Sequence, residues 1–235
     1  MYEILKYGFK KMDNKIRTSV YLMPGMAASP KIFELIEFPA KYKIICLKWI
    51  KPNVNENIKY YAKRMSEFIN DDKPILIGVS FGGILVQEIS KHIKVKKIII
   101  ISSVKSRVEL SLSMRFAKKT GIHHLLPLKM IDDLEKILLF VFGPSIEARV
   151  NAYKKYLSER DPEYLKWSIN QIVNWKQTKY DKNIIHIHGE NDKVFPLRYL
   201  ERNKNFIIVK NGTHATVLRD HKWFSKNLPI LISKD

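Results

Sequence analysis

The chain of 235 residues has one cysteine, Cys46, so no intrachain disulfide can form and stability has to come from packing. Long hydrophobic runs are missing as well. "IIII" at 98–101 is among the longest, far short of the roughly 20 apolar residues that a membrane helix requires, so no transmembrane segment is expected. The opening stretch "MYEILKYGFKKMDNK" breaks its apolar residues with charges and offers no apolar core or cleavage site of a signal peptide. These absences together point to a cytoplasmic location. Acidic residues are scarce, 23 against 42 Lys and Arg, for a formal charge of +19 and a pI near 9.8. A basic balance of this size can attract nucleic acid, anionic membrane or acidic substrates. Yet the lysines are spread along the chain, no denser than pairs such as Lys96-Lys97 and Lys154-Lys155. No zinc-finger spacing, basic helix or RNA-binding aromatic motif accompanies them. The reading is a lysine-rich solvated surface with no specific nucleic-acid partner. Glycine is scarce too, yet three of only 9 crowd around one serine in "ILIGVSFGG", at 75–83.

Six short runs read as buried strands: Ser19–Met23, Lys43–Trp49, Pro74–Ser80, Lys96–Ser103, Asn183–Gly189 and Asn205–Gly212. They are rich in Ile and Val and nearly continuous rather than alternating, as parallel strands covered on both faces are. Helix-period segments separate several of them. In Asn57–Asn70 the apolar positions Ile58, Tyr61, Ala62, Met65, Phe68 and Ile69 recur at three- and four-residue steps, with Asn55 or Asn57 as the cap. This alternation predicts an α/β protein with a mostly parallel, doubly wound sheet of about six strands. From 104 to 180 no strand pattern appears. Helix-period segments such as "MIDDLEKILLFVF" are punctuated by Gly121, Pro127, Gly143-Pro144 and Asp161-Pro162. The expected organisation is a core of 1–103 and 181–235 with a helical cap, 104–180, inserted over one edge of the sheet.

The serine in question is Ser80. A lone G-x-S-x-G is weak by itself, but here a strand, "ILIGV", enters it and a helix, "GILVQEISKHI", leaves it. That places Ser80 on a strand-to-helix turn. Gly78 and Gly82 remove side chains that would collide in a sharp turn, and Gly83 lets the helix lie close to the sheet. The turn leaves the Phe81 backbone N–H free at a helix start, where an oxyanion would form. A hydroxyl is a poor nucleophile without a base and a group to orient that base. Asp192 follows the fifth strand in "HGENDKVFP", and His214 follows the sixth in "NGTHATV". In a parallel sheet these C-terminal ends share one edge, where ligands bind, so Ser80, Asp192 and His214 are expected to converge.

With the elbow "GVSFGG", the acid loop, the histidine loop "GTHA" and a helical insertion in the usual place, the chain resembles the α/β-hydrolases over nearly its whole length. The order Ser80, Asp192, His214 matches the order in that family. The resemblance implies a catalytic triad of these three residues and an oxyanion hole of the Phe81 and Met26 N–H groups, Met26 lying in the loop "LMPGMAAS". Two departures stand out. Pro24-Gly25 occupies the loop where many members have His-Gly, so the contacts fixing that loop must differ. The N-terminus also leaves little room for the antiparallel hairpin that opens many members. Chemistry of this kind needs no cofactor and no metal, and its partner is a small-molecule acyl substrate. A small carboxylic ester is the first expectation and an acyl thioester the second, while a non-catalytic binding module on the same fold is an alternative from another class. The aliphatic "KILLFVFG" keeps a membrane-surface lipase in view. The oligomeric state is not legible.

Some residues compete for attention. Glu190 lies two positions before Asp192 and is the rival orienting acid. His186 and His188 share one strand face, a spacing that can chelate a metal, but no third ligand accompanies them. His188 instead reads as structural, under the acid loop. His123-His124 and Asp132-Asp133 read as solvated positions of the insertion. Tyr153, Tyr156, Tyr164, Trp167 and Trp175 read as packing within the cap, with one or two facing the site.

Overall fold

The computed structural model describes residues 18–121 and 155–234. Within them, six strands form one parallel sheet: β1 (Thr18–Met23), β2 (Tyr42–Cys46), β3 (Ile75–Val79), β4 (Lys97–Ile101), β5 (Ile185–Gly189) and β6 (Phe206–Val209). Their order is β2-β1-β3-β4-β5-β6. The chain winds outward in one direction from β1 to β2 and in the other from β3 onward. The crevice at this reversal therefore opens between the C-terminal ends of β1 and β3, where open α/β sheets bind ligands. Five of the six strands are shorter than the sequence runs, whose ends turn into loops, while β1 starts one residue earlier, at Thr18. β1, β3 and β4 are almost wholly buried, as their unbroken aliphatic sequences require.

α1 (Ile58–Ser66) starts at Asn57, whose side chain accepts hydrogen bonds from the Lys59 and Tyr60 N–H groups. It buries Ile58, Tyr61, Ala62 and Met65, the stripe expected from the spacing. It stops at Ser66, short of Asn70, because Glu67, Phe68 and Ile69 donate three residues back and tighten the last turn. α2 (Phe81–Ile89) is entirely buried, including Gln87 and Glu88, and packs on α1, β3 and β4. At the C-terminus, α5 (Thr216–Arg219) and α6 (His221–Ser233) follow β6, and α6 adds Phe224, Leu228 and Ile232 to the core.

The described parts of 104–180 hold α3 (Leu112–Thr120), α4 (Pro162–Val173) and a 3-10 turn, and no strand among them. His123-His124, Asp132-Asp133, Tyr153 and most of the expected cap lie outside the described residues. The aromatics that can be placed pack downward onto the core. Tyr164 and Trp167 meet Trp49, Phe81 and Tyr61, and the Trp175 indole donates to the buried Glu88 carboxylate at 2.8 Å. Tyr156 donates to Glu34 at 2.9 Å. Among the described residues no helix is long and apolar enough to cross a membrane. Cys46 is a free thiol, pushed up to about 11 by burial.

The β3–α2 junction is the tightest part of this frame. A β-carbon on Gly78 would lie 2.3 Å from the Gly82 carbonyl oxygen, and one on Gly82 would lie 2.3 Å from the carbonyl oxygen of Pro24. These obstacles are backbone atoms, which cannot swing aside. Gly82→Ala should therefore lower stability by about 2–3 kcal/mol, as overpacking does in a closed core, and push the Pro24 loop away from Ser80. A lowered urea midpoint at unchanged slope is the outcome to look for.

Candidate active site

Ser80 caps the start of α2 with φ 53° and ψ −120°, a conformation that residues with side chains avoid. The strain is held from both sides. The Ser80 N–H donates to Ile101 O at 2.9 Å, while its carbonyl accepts from Gly83 N at 2.9 Å and Ser103 Oγ at 2.7 Å. The side chain is thereby aimed away from both the strand and the helix, into the crevice beside Gly25. A β-carbon on Gly25 would lie only 3.3 Å from the Ser80 Cβ.

Ser80 Oγ lies 2.9 Å from His214 Nε2, and His214 Nδ1 lies 2.8 Å from Asp192 Oδ2. The Asp192 carboxylate can only accept, so Nδ1 carries the proton and Nε2 is free to accept from the Ser80 hydroxyl. The other carboxylate oxygen accepts from the Val194 and Phe195 N–H groups at 2.8 and 2.9 Å. Burial by itself would raise the Asp192 carboxyl, but the charge and hydrogen bond of His214, with help from His188 and the Phe195 N–H, outweigh it and hold the acid ionised below its ordinary range. Glu190, the rival acid, points elsewhere and accepts from Asn211 N at 2.8 Å.

Phe81 and Met26 flank the same crevice. Among the described residues no acceptor takes the backbone N–H of either. Phe81 is the first residue of α2, whose leading N–H groups have no partner within the helix. Met26 is half-buried next to Gly25.

Behind Asp192 runs a buried row of polar groups that motif matching does not reveal. His188 Nε2 lies 2.8 Å from Phe195 O and 3.2 Å from Asp192 Oδ2, both acceptors, so this nitrogen is an N–H donor. Its Nδ1 must then accept, and His186 Nε2 lies 3.1 Å away to donate. His186 Nδ1 in turn faces Lys105 Nζ at 3.5 Å. Lys105 is fully buried, paired with the equally buried Glu109 at 3.1 Å. The two histidines thus satisfy one another, in keeping with the structural reading of His188. Burial holds His186 well below its ordinary range and pulls His188 down to about 4.

No protein-family model and no curated protein matches the sequence. By structure the likeness is extensive. A hydrolase from Oleispira antarctica superposes with a TM-score of 0.71 at 11% identity, over 94% of this chain and 93% of that one. A thermophilic esterase from Thermogutta terrifontis gives 0.68 at 11% identity, over 92% and 89%. The chain has the α/β-hydrolase fold. A lipase-esterase related protein from Clostridium acetobutylicum shares this α/β-hydrolase frame at 18% identity with a TM-score of 0.65, over 91% and 94%.

The buried imidazoles make stability depend on acid. Between 6.5 and about 4, unfolded His188 binds a proton that folded His188 does not, so protonation draws the chain toward the unfolded state. That gap corresponds to roughly 3 kcal/mol, fully present above pH 6.5 and lost as pH falls toward 4. Urea titrations at pH 7, 5.5 and 4.5 should show a falling midpoint, with a shallower fall in His188→Gln. A midpoint flat with pH would refute this account.

Proposed function

We propose that the protein is a serine hydrolase that cleaves a small carboxylic ester through an acyl-enzyme on Ser80. The observation that supports it is the unbroken set of contacts from Ser80 through His214 to Asp192 at 2.9 and 2.8 Å. In this reading the three form the catalytic triad. Ser80 Oγ attacks the ester carbonyl while its proton passes to His214 Nε2. Asp192 keeps the imidazole in the required tautomer and stabilises the imidazolium. The Phe81 and Met26 N–H groups donate to the developing oxyanion. His214 then gives its proton to the departing alkoxide oxygen. A water attacks the acyl-enzyme, passing its proton to His214, which returns it to Ser80 Oγ as the Ser80–acyl bond breaks and the carboxylic acid leaves.

The remaining assignments belong to the same proposal. The 104–180 segment is a helical cap over the site, and the partner is a small-molecule acyl substrate. A thioester would pass through the same steps with a thiolate as leaving group. A binding module would have no need of the strain held in Ser80, which favours the enzyme over that reading.

The deciding experiment is intact-mass labelling with an ethoxyfluorophosphonate probe, with Ser80→Ala as its partner. One adduct on the wild type and none on the variant is expected. Hydrolysis of p-nitrophenyl acetate should fall by about 10⁴-fold or more in Ser80→Ala and in His214→Ala, as it does when members of such a triad are removed. A folded wild type that takes no adduct would overturn the enzyme reading in favour of the binding module.

A further inference from the structure

The loop that follows β1 has Pro24-Gly25 where a His-Gly pair is common in this fold, so something else must hold it. The structure supplies a side chain from the loop after a different strand. Trp49 follows β2, buried to 8% exposure, and its Nε1–H donates to the Gly25 carbonyl at 2.9 Å. The Ala28 N–H donates to the same oxygen at 3.1 Å. Gly25 C=O and Met26 N–H belong to one peptide unit, which is planar and trans, so fixing the carbonyl aims the N–H the opposite way. Two donors on the carbonyl also polarise the amide and strengthen its N–H as a donor.

The same indole packs on the residue that carries the second proposed oxyanion donor. Its ring stacks on Phe81 with centroids 5.0 Å apart and planes within 6°. Trp167 closes on Phe81 edge-on at 5.8 Å, and Tyr164 leans on Trp49 at 5.3 Å. Trp49 is itself clamped. The next residue, Ile50, donates from its N–H to Tyr61 OH at 3.0 Å and accepts back from that hydroxyl at 2.8 Å. One rigid side chain thus touches the Gly25 peptide and the Phe81 ring, on either side of Ser80.

We propose that Trp49 is the positioning residue of the oxyanion hole, orienting the Met26 N–H through the Gly25 carbonyl and the Phe81 N–H through ring stacking. This rests on the reading of Met26 and Phe81 as oxyanion donors. It predicts a loss in the chemical step and not in binding, because the indole acts on the donors and they act on the transition state.

The test separates the N–H from the ring. Replacing Trp49 by 3-benzothienylalanine keeps the bicyclic shape and the stack but puts sulfur in place of the N–H; Trp49→Phe is the genetically encoded counterpart. With the ethoxyfluorophosphonate probe, the maximal labelling rate should fall about tenfold in both, less than the 10²–10³ lost when an oxyanion donor itself is removed. The probe concentration for half-maximal rate should stay within about twofold, the split expected when only transition-state contacts weaken. The Met26 amide proton resonance should also move upfield as its polarisation is lost, a change that a mere packing role would not produce. Wild-type labelling rates and an unmoved Met26 resonance in the benzothienyl variant would overturn the Trp49 proposal and leave the serine hydrolase reading standing. A wild type that takes no probe would overturn both.

Discussion

Holding a serine in a left-handed backbone conformation costs on the order of 1–3 kcal/mol, and the parts of this molecule around Ser80 are arranged to meet that cost. The parallel sheet brings β4 beside β3 so that Ile101 O can take the Ser80 N–H, and the loop after β4 brings Ser103 to its carbonyl. α2 has to start at once and lie hard against β1, which is possible only because Gly78 and Gly82 have no β-carbons. Strain of this kind gathers at the edge where β1, β3, β4 and β6 end. Ala27, Ser80, Ser102 and Asn211 all take positive φ there. Apart from the buried histidines of β5, the rest of the sheet is ordinary aliphatic packing, the rigid support that such an edge needs.

Electrostatics follows from the same burial. Asp192 is almost completely enclosed, which would neutralise an unaided carboxyl, yet two backbone N–H groups and two imidazoles surround it. Every lone pair facing the protein is therefore occupied by a donor, and the ionised form is the stable one. The tautomers of His188 and His186 are dictated in turn, starting from the Phe195 carbonyl and ending at a lysine that has nothing but donors. A buried cation such as Lys105 is tolerable because Glu109 and the Glu201 carbonyl receive it.

Much of this was legible in the one-dimensional pattern. Six aliphatic runs matched the six strands, and the three- and four-residue spacing placed the buried face of α1, with its cap left open between Asn55 and Asn57. The elbow glycines and the polar loops after the fifth and sixth strands placed Ser80, Asp192 and His214 on one edge, because parallel strands put all their C-terminal ends there. Strand and helix ends were less legible, as with α1, since the tightening of a last turn depends on local carbonyl geometry that residue spacing does not encode. The aromatics at 156–175 were expected to pack within a cap, with one or two facing the site. Tyr164 does meet Trp167, but most of their contacts reach the core. Their partners there are Glu34, Trp49, Tyr61, Phe81 and Glu88, and nothing in helical periodicity tells a residue which neighbour its helix will meet.

What the sequence determined by itself was the class of fold and the identity of the three converging residues, because strand hydrophobicity, glycine sterics and chain order are local properties. What only the tertiary structure decided was which groups hold those residues in place. The indole of Trp49 on the Gly25 carbonyl joins positions 24 residues apart in the chain, and Lys105 against His186 joins positions 81 apart. Such contacts depend on the lateral order β2-β1-β3-β4-β5-β6 and on side-chain direction at a strand end. Both are settled only when the whole sheet closes, since the free energy of each contact is realised only after its neighbours have excluded water.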